Sequence, residues 1–303
     1  MPVTRAETLL IVNPYARHGE TARLIPAIER LLSNLDHDTL VTTGPQHAME
    51  VARRDGAGRR LVVCAGGDGT AHEVLNGLMH LDESKRPVMG LLPTGSGNDL
   101  RRTLGIPNDL AAAALTLTTG ALRTADVGVC NGTYFGGSFA AGLDARVTAK
   151  AIQYKETTNR AGLWLYLSAL LHILANDRSP IHVNVSFDGE EAQALDALII
   201  AMTIGQTYGG GFKITPDAIF DDGLFDVCMI DPLSLSQALA RLPFVILGKH
   251  TKMKVVRMSR RFSAVIESET PIPAQMDGEV FAETRYEITL LPNAITFKVP
   301  VRR

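Results

Sequence analysis

Short apolar runs alternate with helix-spaced apolar residues through the first 125 positions. Thr8 to Val12 is an apolar run with a β-branched content, closed by Asn13-Pro14, the pattern of a buried strand. Glu20 to Leu32 sets Leu24, Ile28, Leu31 and Leu32 at helical spacing. Thr39 to Thr43 predicts a second strand, Gln46 to Arg54 a second helix, and Arg60 to Ala65 a third strand. The third strand runs directly into Gly66-Gly67-Asp68-Gly69-Thr70, and a helix follows with Val74, Leu75, Leu78 and Met79 on one face. Pro87 to Leu92 predicts a fourth strand, and helices follow near Asn98 to Leu104 and Pro107 to Thr119. This alternation predicts an α/β domain over 1–125 with a doubly wound parallel sheet.

Beyond residue 125 the segments shorten and become β-rich. Strands are expected at Ala125 to Val129, Tyr134 to Ala140, Ile181 to Phe187, Asp196 to Ile204 and Leu224 to Ile230. Others are expected at Lys254 to Met258, Ser263 to Ile266, Tyr286 to Leu290 and Ala294 to Val299. Helices interrupt them at Leu143 to Tyr154, Gly162 to Asn176 and Leu235 to Leu247, the last with Pro243 as an expected break. The expectation for 126–303 is an all-β sandwich with helical insertions.

Hydropathy changes little in this picture. The stretch Ala161 to Ala175 is shorter than the ~20 residues that span a bilayer, and Ser168, His172 and Asn176 stripe one helix face. A packing helix is expected there, with no transmembrane segment. Hydrophobic residues are 46% and charged residues 20%, an ordinary globular balance. A net charge of −2 argues against nucleic acid as partner. Cys64, Cys130 and Cys228 are scattered in apolar runs and form no disulfide or zinc pattern, which points to a reducing, cytoplasmic compartment. Met1 to Glu7 carries both charges and no apolar core, so no secretory leader is expected.

The chemistry concentrates at the expected carboxyl ends of the parallel strands, where open α/β sheets bind ligands. Asn13, Thr42 and Thr43, Gly66 to Thr70, and Thr94 to Asn98 all fall there. Glycines in the Gly66–Thr70 turn let phosphate oxygens approach backbone amides, and the helix that follows adds partial positive charge. Asp68 offers a carboxylate and Thr70 a hydroxyl. The second element, Leu92-Pro93-Thr94-Gly95-Ser96-Gly97-Asn98-Asp99, supplies more amides and the hydroxyls of Thr94 and Ser96. A dinucleotide fingerprint fails because His72 stands at its third glycine position, and no P-loop motif occurs. Ser96 lies in T-G-S-G-N, not in a nucleophile elbow. Asp221-Asp222-Gly223 and Asp277-Gly278 read, on residues alone, as a tight turn and a hairpin.

Taken together, GGDGT and LPTGSGND resemble the diacylglycerol kinase catalytic family of lipid kinases, which also includes sphingosine and ceramide kinases. The resemblance extends through Asn13-Pro14, Thr42-Thr43-Gly44, Gly209-Gly210-Gly211, Pro216–Leu224 and Asp277-Gly278-Glu279. It implies ATP phosphates at Gly66, Gly67, Asp68, Gly69, Thr70, Ala71, His72 and Ser96, with Thr42 or Thr43 at the nucleotide. It implies a Mg²⁺ held by Asp222 and the carbonyls of Ile219 and Leu224. It implies that Glu279, with Asp277 and Asp68 as further candidates, acts on the acceptor hydroxyl. His72 replaces the family's usual asparagine, and Tyr134 to Asp144 lacks an asparagine often found there.

The function so implied is ATP-dependent phosphorylation of a lipid hydroxyl, foremost that of diacylglycerol. The nucleotide belongs to the first domain and the lipid to the second, with peripheral access to a membrane surface and a homodimer as the family's assembly. Apolar residues at Trp164 to Leu174 or Phe244 to Leu247 are candidates for an acyl groove or docking surface. At this stage the alternatives are a sphingoid base, a ceramide, a soluble substrate as in NAD kinases, and a nucleotide-binding regulator without turnover.

Overall fold

A computed structural model describes residues 6–158 and 162–301. Met1 to Arg5 of the N-terminal segment, where no leader is expected, and Ala161 of the apolar stretch lie outside the described residues. The chain divides into two compact units, Met1–Ala125 with Asn293–Arg303, and Asp126–Pro292.

Unit 1 begins β1 (Thr8–Val12), α1 (Glu20–Leu31), β2 (His37–Val41), α2 (His47–Asp55), β3 (Leu61–Gly66) and α3 (Asp68–Met79). It continues with β4 (Val88–Pro93), α4 (Asp99–Leu104) and α5 (Leu110–Thr119). The strands pair in the order β2, β1, β3, β4, all parallel. β1 and β3 are buried throughout, as continuous apolar strands covered by helices must be. Ile28 of α1, Val51 of α2 and Val74, Leu75 and Leu78 of α3 are buried.

Strand β5 (Ala121–Cys130) leads out of unit 1. Then follow β6 (Thr133–Phe135), β7 (Ser138–Gly142), α6 (Leu143–Thr157), α7 (Gly162–Asn176), β8 (Ile181–Phe187), β9 (Gln193–Ala197) and β10 (Ile199–Thr203). The chain ends through β11 (Phe225–Ile230), α8 (Leu235–Ile246), β12 (Val256–Arg261), β13 (Ser263–Met276) and β14 (Glu279–Val299). In unit 2 β7 pairs β10 and β13, β10 pairs β11, β11 pairs β12, and β8 pairs β9 and β13, all antiparallel. Phe135 stacks on Phe225 and Phe139 meets Tyr286 edge-on in its core. The combination is an α/β domain with a parallel sheet and a β-rich domain carrying helical insertions.

Several expectations are corrected. Tyr134 to Ala140 is two strands, β6 and β7, parted at Gly136-Gly137, and Asp196 to Ile204 is β9 and β10, which separate at Leu198 because β9 pairs β8 while β10 pairs β7. The expected second domain, 126–303, loses its last residues: Asn293–Arg303 belong to unit 1, where Phe297 pairs in parallel with Met89. The strands expected at Tyr286 to Leu290 and Ala294 to Val299 are one strand, β14, with Asn293 at φ 51° inside it. Pro243 does not break α8, which runs from a capping box at Ser234 and Gln237 to Ile246. The loss of one amide there is tolerated because this part of the helix is exposed, so water can satisfy the freed carbonyl.

Candidate functional site

In unit 1 the carboxyl ends of all four parallel strands converge. The Asn13 amide donates to the Thr70 hydroxyl at 2.9 Å, linking the end of β1 to the first turn of α3. The Thr42 amide donates to the Val12 carbonyl at 2.8 Å, and Thr42 is buried. Thr43 points the other way: its hydroxyl lies 3.1 Å from His47 Nδ1 at the start of α2. Ala71 and Thr70 are buried, and His72 contacts the Asn76 amide at 3.3 Å along α3.

The two glycine-rich turns pack backbone on backbone. The amides of Thr94 and Gly95 donate to the Gly66 carbonyl at 3.0 and 3.2 Å. A Cβ on Gly95 would lie 2.2 Å from the Cα of Gly67, so no side chain fits between the turns. Asn98 takes a left-handed conformation, φ 56°, and its side chain donates to the Gly95 carbonyl at 2.8 Å. Ser96 is partly accessible. The Thr94 hydroxyl is buried and has no hydrogen-bond partner among the described residues, a cost unless something completes it.

Asp68 opens α3 and caps α4. Its carboxylate accepts the Asp99 and Leu100 amides at 2.7 and 3.3 Å. Burial, with the Asp99 charge adding to it, lifts its pKa to about 6 against those bonds.

In unit 2, Asp277 and Gly278 are the two central residues of the β13–β14 turn, both at positive φ (49° and 98°), with Met276 paired to Glu279 across it. The Asp277 carboxylate turns inward and accepts three amides, from Gly136 at 2.8 Å and from Gly137 and Ser138 at 2.9 Å. Glu279 is exposed, and its side chain makes no hydrogen bond or ion pair among the described residues. The two carboxylates of one short motif therefore have different surroundings. One is held by a loop and the other is open to an approaching group.

The turn before β11 carries the residues matched to a metal. The oxygen donors Asp222, Ile219 and Leu224 suit a hard cation, and a buried carboxylate not foreseen from sequence, Asp126, binds the Gly223 amide at 2.7 Å beside them. Asp222 is, however, already paired with the Arg260 guanidinium, and its other oxygen accepts the Leu224 amide at 3.2 Å. A cation at this turn therefore has to displace Arg260.

Unit 2 also holds an apolar cavity of about 100 Å³ that opens to solvent. Leu143 and Val147 of α6, Leu170 and Leu174 of α7, and Leu242 and Val245 of α8 line it. Asp144 is the carboxylate at its wall. Burial raises the Asp144 pKa to about 6, although the Gln275 amide donates to it at 3.0 Å and Tyr208 bonds it as well. Gln275 in turn accepts the Gly278 amide at 2.9 Å. A hydrogen-bonded chain thus joins the cavity wall to the Asp277–Glu279 turn.

Sequence reasoning missed Glu73, Asp126, Asp144 and Gln275. Glu73 caps α2 by accepting the Gln46 and Ala48 amides at 3.0 and 3.1 Å. For Asp144 and Gln275 the available signal was a polar residue in an otherwise apolar segment, SFAAGLD and PIPAQM.

The diacylglycerol kinase catalytic domain profile matches residues 7–130, and that of the YegS C-terminal NAD kinase beta sandwich-like domain matches 137–299. The chain belongs to the diacylglycerol kinase family of lipid kinases. A diacylglycerol kinase of Bacillus subtilis is 31% identical over 220 residues, covering 72% of this chain and 71% of that one. One from Staphylococcus saprophyticus is 27% identical over 91% of this chain and 89% of its own. A Bacillus anthracis crystal structure described as a diacylglycerol kinase superposes over 98% of both chains, with a TM-score of 0.75 at 23% identity. An NAD kinase from Archaeoglobus fulgidus in complex with ATP shares the fold, with a TM-score of 0.54 at 13% identity over 96% of this chain and 93% of that one. Among the described residues, no helix is long and apolar enough to cross a membrane.

Proposed function

We propose that this lipid kinase transfers the γ-phosphoryl group of ATP to the hydroxyl of diacylglycerol, giving phosphatidic acid. The carrying observation is the backbone contact between Gly67 and Gly95, which brings the amides of both turns to one end of the unit 1 sheet. Phosphoryl transfer needs positioning and charge neutralisation more than covalent help from the protein. Gly66 to His72, Thr94, Gly95, Ser96 and Asn98 would cradle the phosphates, with Asn13 and Thr42 at the strand ends. The unpartnered Thr94 hydroxyl supports a ligand there.

Glu279 would accept the proton of the lipid hydroxyl as the O–P bond forms. Its exposure and lack of partners favour it over Asp277, whose oxygens already accept three amides. Asp277 is then a positioning residue that fixes the turn bearing Glu279. Asp68 holds α4 in place through the Asp99 and Leu100 amides, which suits a role in shaping the phosphate cradle. Mg²⁺ would supply charge neutralisation at the phosphates. A second Mg²⁺ at Asp222 and the Ile219 and Leu224 carbonyls requires Arg260 to move. The apolar cavity of unit 2 supports an acyl-bearing acceptor over a soluble one.

The test is transfer of labelled phosphate from ATP to a panel of diacylglycerol, ceramide, a sphingoid base and NAD. Labelled phosphatidic acid from diacylglycerol above all others is the expected result. Labelling of NAD alone, or of nothing, overturns the proposal.

A further inference from the structure

Helix α8 and the loop that follows it segregate charge strongly. From Pro232 to Ile266 the sequence carries Arg241, Lys249, Lys252, Lys254, Arg257, Arg260 and Arg261 and not one acid, in a chain of net charge −2. The cations fall into two groups. Arg257, Arg260 and Arg261, on β12, pair with Asp231, Asp222, and Asp188 with Glu190. Arg241, Lys249, Lys252 and Lys254 form no ion pair among the described residues. Lys213 joins them in space, because a Cβ on Gly248 would lie 3.2 Å from the Lys213 Cβ. Lys213 is exposed and likewise without an ion pair among the described residues. The acid nearest in sequence to that contact is Asp217, beside Pro216.

The same helix is apolar on both sides. Ala238, Leu242 and Val245 face the cavity, joined by Met253 and Val256 from beyond the helix. Leu239, Phe244 and Leu247 are 43%, 46% and 60% exposed on the outside. Large exposed apolar side chains beside unneutralised lysines match the pattern by which amphipathic helices lie in a lipid interface. Lysines near an anionic leaflet each contribute attraction, whereas a protein partner would have to supply matching acids around an apolar pit.

We infer that α8 and the Gly248–Lys254 loop form a docking surface for an anionic lipid bilayer. Phe244 and Leu247 enter the headgroup boundary, and the exposed Lys213, Lys249, Lys252 and Lys254 lie against lipid phosphates. This rests on the lipid-kinase reading only for its purpose, since the inner face of the same helix lines the cavity assigned to the acyl chain. Docking there puts the cavity wall at the membrane that holds the substrate.

Flotation of the full chain with vesicles of phosphatidylcholine, alone or with about a third phosphatidylserine, tests this. The expected result is binding only to the anionic vesicles, weakened by salt. A Lys249→Glu/Lys252→Glu variant should lose at least ~10-fold in partition, and Lys249→Gln/Lys252→Gln a smaller part. Phe244→Ser/Leu247→Ser should also lose binding. Arg23→Glu/Arg30→Glu, the same charge change on α1 of unit 1, should not. Circular dichroism confirms folding, and the Gln pair keeps the test open if a Glu pair misfolds. Equal binding to neutral vesicles, equal loss in the α1 variant, or concentration-dependent dimerisation abolished by Phe244→Ser/Leu247→Ser without vesicles overturns the inference. Phosphorylation of a water-soluble short-chain diacylglycerol separates the two readings. It should be unchanged in the Lys249/Lys252 variants, and its absence in the wild type would count against the kinase proposal while flotation still reports docking.

Discussion

The Asp68 carboxylate accepts the amide of Asp99 at 2.7 Å, so the first residue of α3 caps the first turn of α4. Two glycine-rich turns are thereby held as one object by residues 31 apart in sequence. Disturbing either turn is then expected to affect both, and substitutions at their contact point should be read in ATP affinity.

Gly95→Ala places a methyl 2.2 Å from the Cα of Gly67, and backbone must shift to admit it. The expected cost is about 1–3 kcal/mol of stability and at least ~10-fold in ATP affinity, since 1.4 kcal/mol is a factor of ten. Calorimetric titration with ATP checks it. Wild-type affinity would show that these amides do not touch the nucleotide.

Glu279 and Asp277 should separate cleanly. Glu279→Gln is expected to lower kcat by ~10²-fold or more, the range for a lost general base, with thermal stability unchanged because the side chain has no partner to lose. Asp277→Ala leaves three amides without their acceptor and should cost about 2–4 kcal/mol of stability. Chemical denaturation alongside kinetics distinguishes them, and the reverse pattern would exchange their roles.

Asp144 carries a pH signature. Its pKa is raised by burial to about 6 in the folded chain, against ~3.9 unfolded. Between those values the folded state binds more protons, so this group's contribution to stability falls as pH rises through the window. Asp144→Asn removes the fall. The variant should match the wild type below about pH 4 and exceed it by up to ~2–3 kcal/mol above about pH 6, if the Gln275 bond re-forms. Urea titrations at pH 4 and pH 7.5 measure it, and an unchanged difference between the two would contradict a buried, ionised Asp144.

Arg260 guards the turn at Asp222. Arg260→Ala should increase the Mg²⁺-dependent rise in thermal midpoint relative to the wild type, because the carboxylate no longer has a competing cation. No Mg²⁺ effect in either protein would remove Asp222 from the metal-binding set.

The elements of unit 1 were legible in sequence because each is a local matter. β1 and β3 are continuous apolar strands, α3 carries its own apolar face, and the glycine turns sit where strand becomes helix. Most sandwich strands of unit 2 were legible for the same reason, but not β14, whose halves look separate around Pro292-Asn293, nor Tyr134 to Ala140 and Asp196 to Ile204, each of which reads as one strand and folds as two. Local sequence cannot say that Asn293–Arg303 return to unit 1, because a strand's partner is chosen over long range. Nor can it divide labour between Asp277 and Glu279. Two carboxylates two residues apart are chemically alike until a loop such as Gly136–Ser138 turns its amides on one of them. The cavity, the Asp144–Gln275 link and the unpaired lysines beside α8 are likewise products of packing. Sequence determines which residues can bond, bury or ionise, and tertiary structure decides which of those capacities are spent inside the protein and which remain for a ligand.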